Sequence, residues 1–208
     1  MTLPGRMRLR PLAGCALVIA ALLCGGWADT WKGIRAAAGT VTSIRADFVQ
    51  EKHLKMLLHP LVSRGVLYYR APGDLRWEYK TPVRSVMLMD GGKGRRFIES
   101  GGRLKEAQGG GMDAMPVVME EITGWLGGRF DQSGLFSARL EPGKKIVLTP
   151  KDQTLAGIIS RIELVLADRA GVMESVYIYE SEDSYTRLIF SHTEINPALS
   201  DDIFRKIS

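Results

Sequence analysis

The chain is poor in cysteine: Cys15 and Cys24 are the only two among 208 residues, and both precede residue 25. A disulfide scaffold needs several times as many. Three histidines, His53, His59 and His192, are scattered, and none has the spacing of a zinc-binding helix. No Gly-x-Ser-x-Gly elbow occurs. Asp90-Gly91-Gly92-Lys93-Gly94 lacks both the Ser or Thr after the lysine and the strand-loop-helix setting of a phosphate loop, so it reads as a hairpin turn. Neither sign of charge dominates, with 28 basic and 23 acidic residues, and the 45% hydrophobic content excludes disorder. The 23 glycines exclude a coiled coil, and the length suits about one domain.

What is present begins with an export signal. Arg6, Arg8 and Arg10 form a basic start, Leu12 to Cys24 is an apolar run of 13 residues, and Gly26-Trp27-Ala28 places small residues where a signal peptidase reads. The run is too short for a comfortable membrane span. Residues 1–28 are therefore expected to be a signal peptide, and residues 29–208 a single exported domain. Cleavage after Ala28 removes both cysteines and three arginines, which lowers the formal charge from +5 to +2. Leu12-Ala13-Gly14-Cys15 resembles a lipoprotein cleavage box, but its apolar stretch follows the cysteine instead of preceding it. The bulky Leu23 before Cys24 is equally unsuitable. A soluble periplasmic protein is the expectation. A chain of this size buries about 70% of its unfolded surface and needs no staple.

Beyond the leader, the periodicity predicts a mainly β protein with a few helices. Trp31 to Gly39 is a short helix with Thr30 as its cap. The period then changes to two. Ile44, Ala46 and Phe48 alternate with Arg45, Asp47 and Val49, a second strand follows from Val62 to Tyr69, and Leu75, Trp77 and Tyr79 alternate with Arg76, Glu78 and Lys80. That third strand is expected to have one dry face and one solvated, charged face. Val86 to Met89 and Arg95 to Glu99 form a hairpin around Asp90-Gly91-Gly92. Met115, Val118, Met119, Ile122, Trp125 and Leu126 recur at helical spacing between a glycine tract, Gly109 to Gly111, and Gly127-Gly128. Strands return near residues 135–140, 145–148, 158–166, 172–179 and 185–191. The expected architecture is a strongly curved antiparallel sheet of roughly ten strands, with helices at one mouth or face.

Chemistry is scarce in this pattern. The cluster Lys93, Arg95, Arg96 and Arg103 reads as solvated charge on a hairpin, with docking to an acidic partner or an anionic membrane as the lesser alternative. A net charge of +2 argues against nucleic acid. Glu120-Glu121 and Glu180 with Glu182 lack the companions of a catalytic pair. Neither an enzyme nor a cofactor or metal is expected. Seven methionines follow the leader, and five of them, Met87, Met89, Met112, Met115 and Met119, lie on the middle strand or around the long helix. Their adaptable side chains suit either a core or an apolar surface that accepts variable partners.

RADFVQEK (Arg45 to Lys52) is followed by RGVLYYRAPGDLRWEYKTPVRSVMLMDGGK (Arg64 to Lys93). This ordered series, together with the preceding helix and leader, resembles the periplasmic outer-membrane lipoprotein carrier family, the LolA-like proteins. The resemblance covers roughly residues 30 to 100, and beyond that only the order of elements fits. It implies an incomplete β-barrel lidded by helices, whose hydrophobic interior shelters the acyl chains of lipoproteins. It further implies a monomer that accepts lipidated proteins from an inner-membrane ABC-type release complex and passes them to an outer-membrane receptor lipoprotein. A diverged carrier of another lipid, such as a glycolipid or acylated pigment, and an anchored lipoprotein receptor of the same fold are the alternatives.

Carried over onto this chain, Phe48, Leu67, Leu75 and Trp77 match apolar strand positions of the family, and Pro72 matches its strand-connecting turn. Tyr79, Met115, Met119 and Ile122 complete the candidate acyl-binding set. One departure stands out. The family's lid-latching arginine immediately precedes the turn proline, where this chain has Ala71, with Arg70 one place earlier as the candidate latch. A shift of one along a strand reverses the face, which would turn Arg70 outward.

Overall fold

The computed structural model describes residues 28–90, 93–107 and 114–207, without the side chains of residues 114–117, 119 and 120. Residues 1–27 of the expected leader (residues 1–28), Gly91-Gly92, the glycine tract and Met112 lie outside the described residues. Ala28 is described, and it is buried in the core.

Helix α1 (Trp31–Gly39) forms as its residues dictate. The Thr30 hydroxyl accepts a hydrogen bond from the Gly33 amide at 3.0 Å, and Ile34 is buried. Strands β1 (Ser43–His53), β2 (Leu61–Arg70), β3 (Asp74–Thr81), β4 (Ser85–Asp90) and β5 (Lys93–Ser100) follow as a meander. Asp90 pairs with Lys93 across the hairpin, in keeping with a two-residue turn. A short strand β6 (Arg103–Glu106), absent from the expected pattern, completes this half.

Helix α2 (Ala114–Leu126) separates the halves and ends at Gly128, which adopts the left-handed conformation with φ +74°. The second half comprises β7 (Phe136–Glu141), β8 (Lys145–Pro150), α3 (Gln153–Ala156), β9 (Arg161–Leu166), β10 (Met173–Ser181), β11 (Ser184–Ile195) and α4 (Asp202–Arg205). The expected strand from residue 158 starts only at Arg161, because α3 and its following turn bury Leu155 and Ile159.

The eleven strands form one sheet in the order β6-β5-β4-β3-β2-β1-β11-β10-β9-β8-β7, every neighbouring pair antiparallel. The two halves join where β1 pairs with β11, from Ile44 opposite Ile195 to His53 opposite Tyr185. The sheet curves without closing and leaves β6 and β7 as free edges. A single main core lies on one face, with buried residues drawn from β1–β3, β7–β11, α1 and α2.

A second, smaller core lies on the opposite face. Val86, Leu88 and Phe97 pack there with Leu104 and Ile207. The C-terminal segment carrying α4 crosses this face and buries residues that alternation alone assigns to solvent. Arg76 and Glu78 are only 6% and 9% exposed. Arg76 donates to Glu78 at 2.8 Å and to the carbonyls of Ile203 and Lys206 at 3.1 and 2.8 Å, while Arg84 bonds the other Glu78 oxygen at 3.1 Å. The expected charged, solvated face of β3 is thus an enclosed ion cluster, because a distant part of the chain covers it.

Candidate functional site: an apolar trough under a helix

Period-two alternation places one side chain in two on the concave face, and the pairing registers align these residues across the sheet. Phe48 lies opposite Gly65 and Phe190; Ala46 opposite Leu67; Leu67 opposite Trp77; Tyr69 opposite Leu75; and Trp77 opposite Met87. Leu188 and Val176, Leu164 and Ile146 extend the lining through the second half. Aromatic rings thicken its middle. Trp77 has its ring centroid 4.4 Å from Phe48 and 6.1 Å, edge-on, from Phe190, while Tyr79 meets Phe48 edge-on at 5.2 Å.

This lining stays uncharged. Burial pushes the Tyr69 phenol above its usual range, against a smaller opposing effect of Arg129, so Tyr69 remains neutral. Polar side chains gather toward the end formed by the β1–β2 turn. There the Tyr79 hydroxyl donates to Gln50 at 2.6 Å, and Lys52 pairs with Glu180 at 3.3 Å. Beyond this rim the β1–β2 turn protrudes, with Met56 and Leu58 87% and 97% exposed.

Helix α2 occupies the trough. Val118, Ile122 and Trp125 are buried against the sheet at spacings of three and four. The end of the helix is tied to α1 by close approach: a Cβ on Gly128 would lie 2.6 Å from the Ala38 methyl. Arg35 reaches Asp131 at 2.7 Å, and Trp31 packs near Phe130 at 6.5 Å. Among the described residues, two apolar crevices lie beside the helix. One is lined by Ile44, Ala46, Leu67, Ile122, Leu126 and Phe190, the other by Ile34, Trp125, Phe130, Leu166, Val172 and Met173. Each encloses about 20 Å³, room for about one water. Helix α2 thus lies against the trough through Val118, Ile122 and Trp125.

Among the described residues, two buried side-chain polar atoms inside this core have no partner. The indole nitrogens of Trp77 and Trp125 are fully buried and make no hydrogen bond. No group of three metal-ligating side chains occurs among the described residues.

Of the residues singled out from sequence, Phe48, Leu67, Leu75, Trp77 and Ile122 are buried together in the main core, and Tyr79 packs against it. Met115 and Met119 fall on α2, with their side chains outside the described residues. Met87 and Met89 pack at the core's margin. Arg70 lies on the outer face. It donates to Asp74 at 2.7 Å and Asp201 at 2.6 Å, and its guanidinium sits 4.7 Å from the Phe204 ring centroid. It therefore holds the C-terminal segment.

Sequence reasoning overlooked Phe190 and Met173. Phe190 was visible as the second of two alternating apolar residues, Leu188 and Phe190. Met173 was hidden by a register irregularity between Met173 and Ser175.

A comparison with curated protein sequences finds no match. Among solved structures, three similar chains illustrate the range. A DUF1329 family protein from Desulfovibrio piger has a TM-score of 0.48 at 11% identity, covering 86% of this chain and 95% of that one. A putative outer membrane lipoprotein-sorting protein domain from Vibrio parahaemolyticus has a TM-score of 0.45 at 11% identity, with coverages of 86% and 96%. A LolA superfamily protein from Nitrosomonas europaea has a TM-score of 0.43 at 11% identity, with coverages of 85% and 98%. The model of the family described as outer membrane lipoprotein carrier protein LolA matches residues 39–99, from the end of α1 through β5, and over that segment the chain is LolA-like.

Proposed function

We propose that this protein is an exported, periplasmic carrier that shelters the acyl chains of lipidated proteins in its trough and moves them from the inner to the outer membrane. The observation that carries this reading is the apolar concave face, covered by an amphipathic helix that is no part of the strand ladder. Burying methylenes gains about 0.8 kcal/mol each, so a chain of a dozen is worth roughly 10 kcal/mol and does not cross water unshielded. Exchange of α2 for an acyl chain replaces one apolar surface with another, which keeps binding reversible. The role is binding and release without covalent chemistry. By resemblance, the donor is an ABC-type release complex in the inner membrane, and the acceptor is a receptor lipoprotein in the outer membrane.

Carriage of another lipid is the second reading, and the outward placement of Arg70 favours it, because the family's latch position is occupied by Ala71. Native mass spectrometry of protein purified from its periplasm, followed by lipid extraction, separates the two. Triacylated lipoprotein is the expected cargo; recovery of free lipids alone would overturn the lipoprotein reading.

A further inference from the structure

Trp77 on β3 and Trp125 on α2 contribute the two largest fully buried side chains among the described residues, and both bury an indole N–H with no acceptor. A buried tryptophan ordinarily finds a partner for this group, since an orphaned donor costs stability that phenylalanine in the same place would not. Water is a poor remedy. The crevice that Trp125 lines is walled by apolar side chains, Trp77 lines neither crevice, and a water molecule needs two to four polar partners to settle. The third orphaned atom, the Nε of Arg187, belongs to a residue aligned with Tyr177 and Glu51, outside the trough register.

The unmet need is therefore specific: two hydrogen-bond donors, no acceptor, and an apolar enclosure. We infer that Trp77 and Trp125 recognise the carbonyl oxygen of an acyl group, so that the trough selects acyl chains joined through a carbonyl over alkyl chains of equal length. A carbonyl brings an acceptor but no donor and no charge, and it travels on the hydrocarbon that the rest of the trough accommodates. Carboxylates fit less well, because the described residues lining the two crevices include no cation to accompany a buried negative charge. The donors lie on both sides of the interior, one on the sheet and one on the helix that must yield. Cargo can thus satisfy Trp77 from within the trough, while Trp125 either follows the cargo or is released to solvent when α2 departs.

This inference rests on the carrier reading, and one competition experiment distinguishes their failures. The purified protein is equilibrated with micelles containing equal amounts of dipalmitoylglycerol and its carbonyl-free analogue, dihexadecylglycerol, and the bound lipids are weighed by native mass spectrometry. A preference of about tenfold for the diacyl lipid is expected, the size of one to two net hydrogen bonds. The Trp77→Phe and Trp125→Phe variants should lose that preference in part, and the double variant almost wholly. In the unsubstituted protein, the indole proton resonance of Trp77 should move downfield on loading with the diacyl lipid and stay in place with the dialkyl one. Equal binding of both lipids by the unsubstituted protein, or a preference that survives in the double variant, overturns carbonyl recognition and leaves the carrier reading standing. Binding of neither lipid overturns both.

Discussion

Phe48 lies across Gly65, its partner on β2, so closely that a Cβ built on the glycine would stand 2.5 Å from the ring's ζ carbon and 2.1 Å from the Glu78 carbonyl oxygen. The missing side chain is what lets the ring lie flat against the sheet and leaves its other face to Trp77. Gly65→Ala should accordingly destabilise the fold by about 3 kcal/mol, through overpacking that the backbone of β3 cannot relieve. Urea denaturation provides the measurement, and an unchanged midpoint would show that β2 and β3 separate more readily than this geometry implies.

The ion cluster under the C-terminal segment should be strongly asymmetric. Arg76→Ala leaves the Glu78 carboxylate with a diminished partnership and frees the carbonyls of Ile203 and Lys206, a loss of about 3 kcal/mol. Arg84, far more exposed, should cost under about 1 kcal/mol when changed to alanine. Chemical denaturation of the two variants side by side tests the ordering, and equal losses would contradict it.

Acid should loosen the same segment. The Arg70 guanidinium holds the Asp201 carboxyl below its usual range, chiefly through a direct hydrogen bond. A depressed folded-state value means that this contribution is complete above the ordinary carboxylate range and is lost as pH falls through the lowered value. Amide exchange of residues 201–206 should therefore accelerate below about pH 4 before the sheet amides respond, and Asp201→Asn should show fast exchange already at neutral pH.

Ile122→Ala removes a fully buried side chain from the face that α2 presents to the sheet. The helix should lose about 2–4 kcal/mol of its seating, raising the exchange rate of α2 amides selectively and speeding lipid uptake. If exchange rose equally throughout the sheet, α2 would be an integral part of the cooperative fold and not a movable cover.

Much of this organisation was legible because it is local. Thr30 before an apolar helical face, the alternation through Leu75, Trp77 and Tyr79, and the spacing of Val118, Ile122 and Trp125 each carry their structure within a few residues. The apolar trough follows from the same alternation. What escaped depends on sequence-distant contacts. Nothing near Arg76 announces that residues 203 and 206 will cover it, and nothing in a four-residue stretch such as Arg103–Glu106 marks a strand except the neighbour it pairs with. Arg70 shows both sides: its outward direction follows from strand parity, but its partners Asp201 and Phe204 arrive from the far end of the chain.

The two edge strands, β6 and β7, each paired on one side only, give the sheet a mechanical property that a sealed cylinder lacks. In a closed barrel, widening the lumen strains a continuous ring of backbone hydrogen bonds, so the bore is fixed by strand number. Here the ring is interrupted, and the span between the margins can grow or shrink by small changes in twist spread over ten antiparallel pairings, none of which has to break. Girth becomes a soft variable, adjustable to occupants of different thickness at little enthalpic expense.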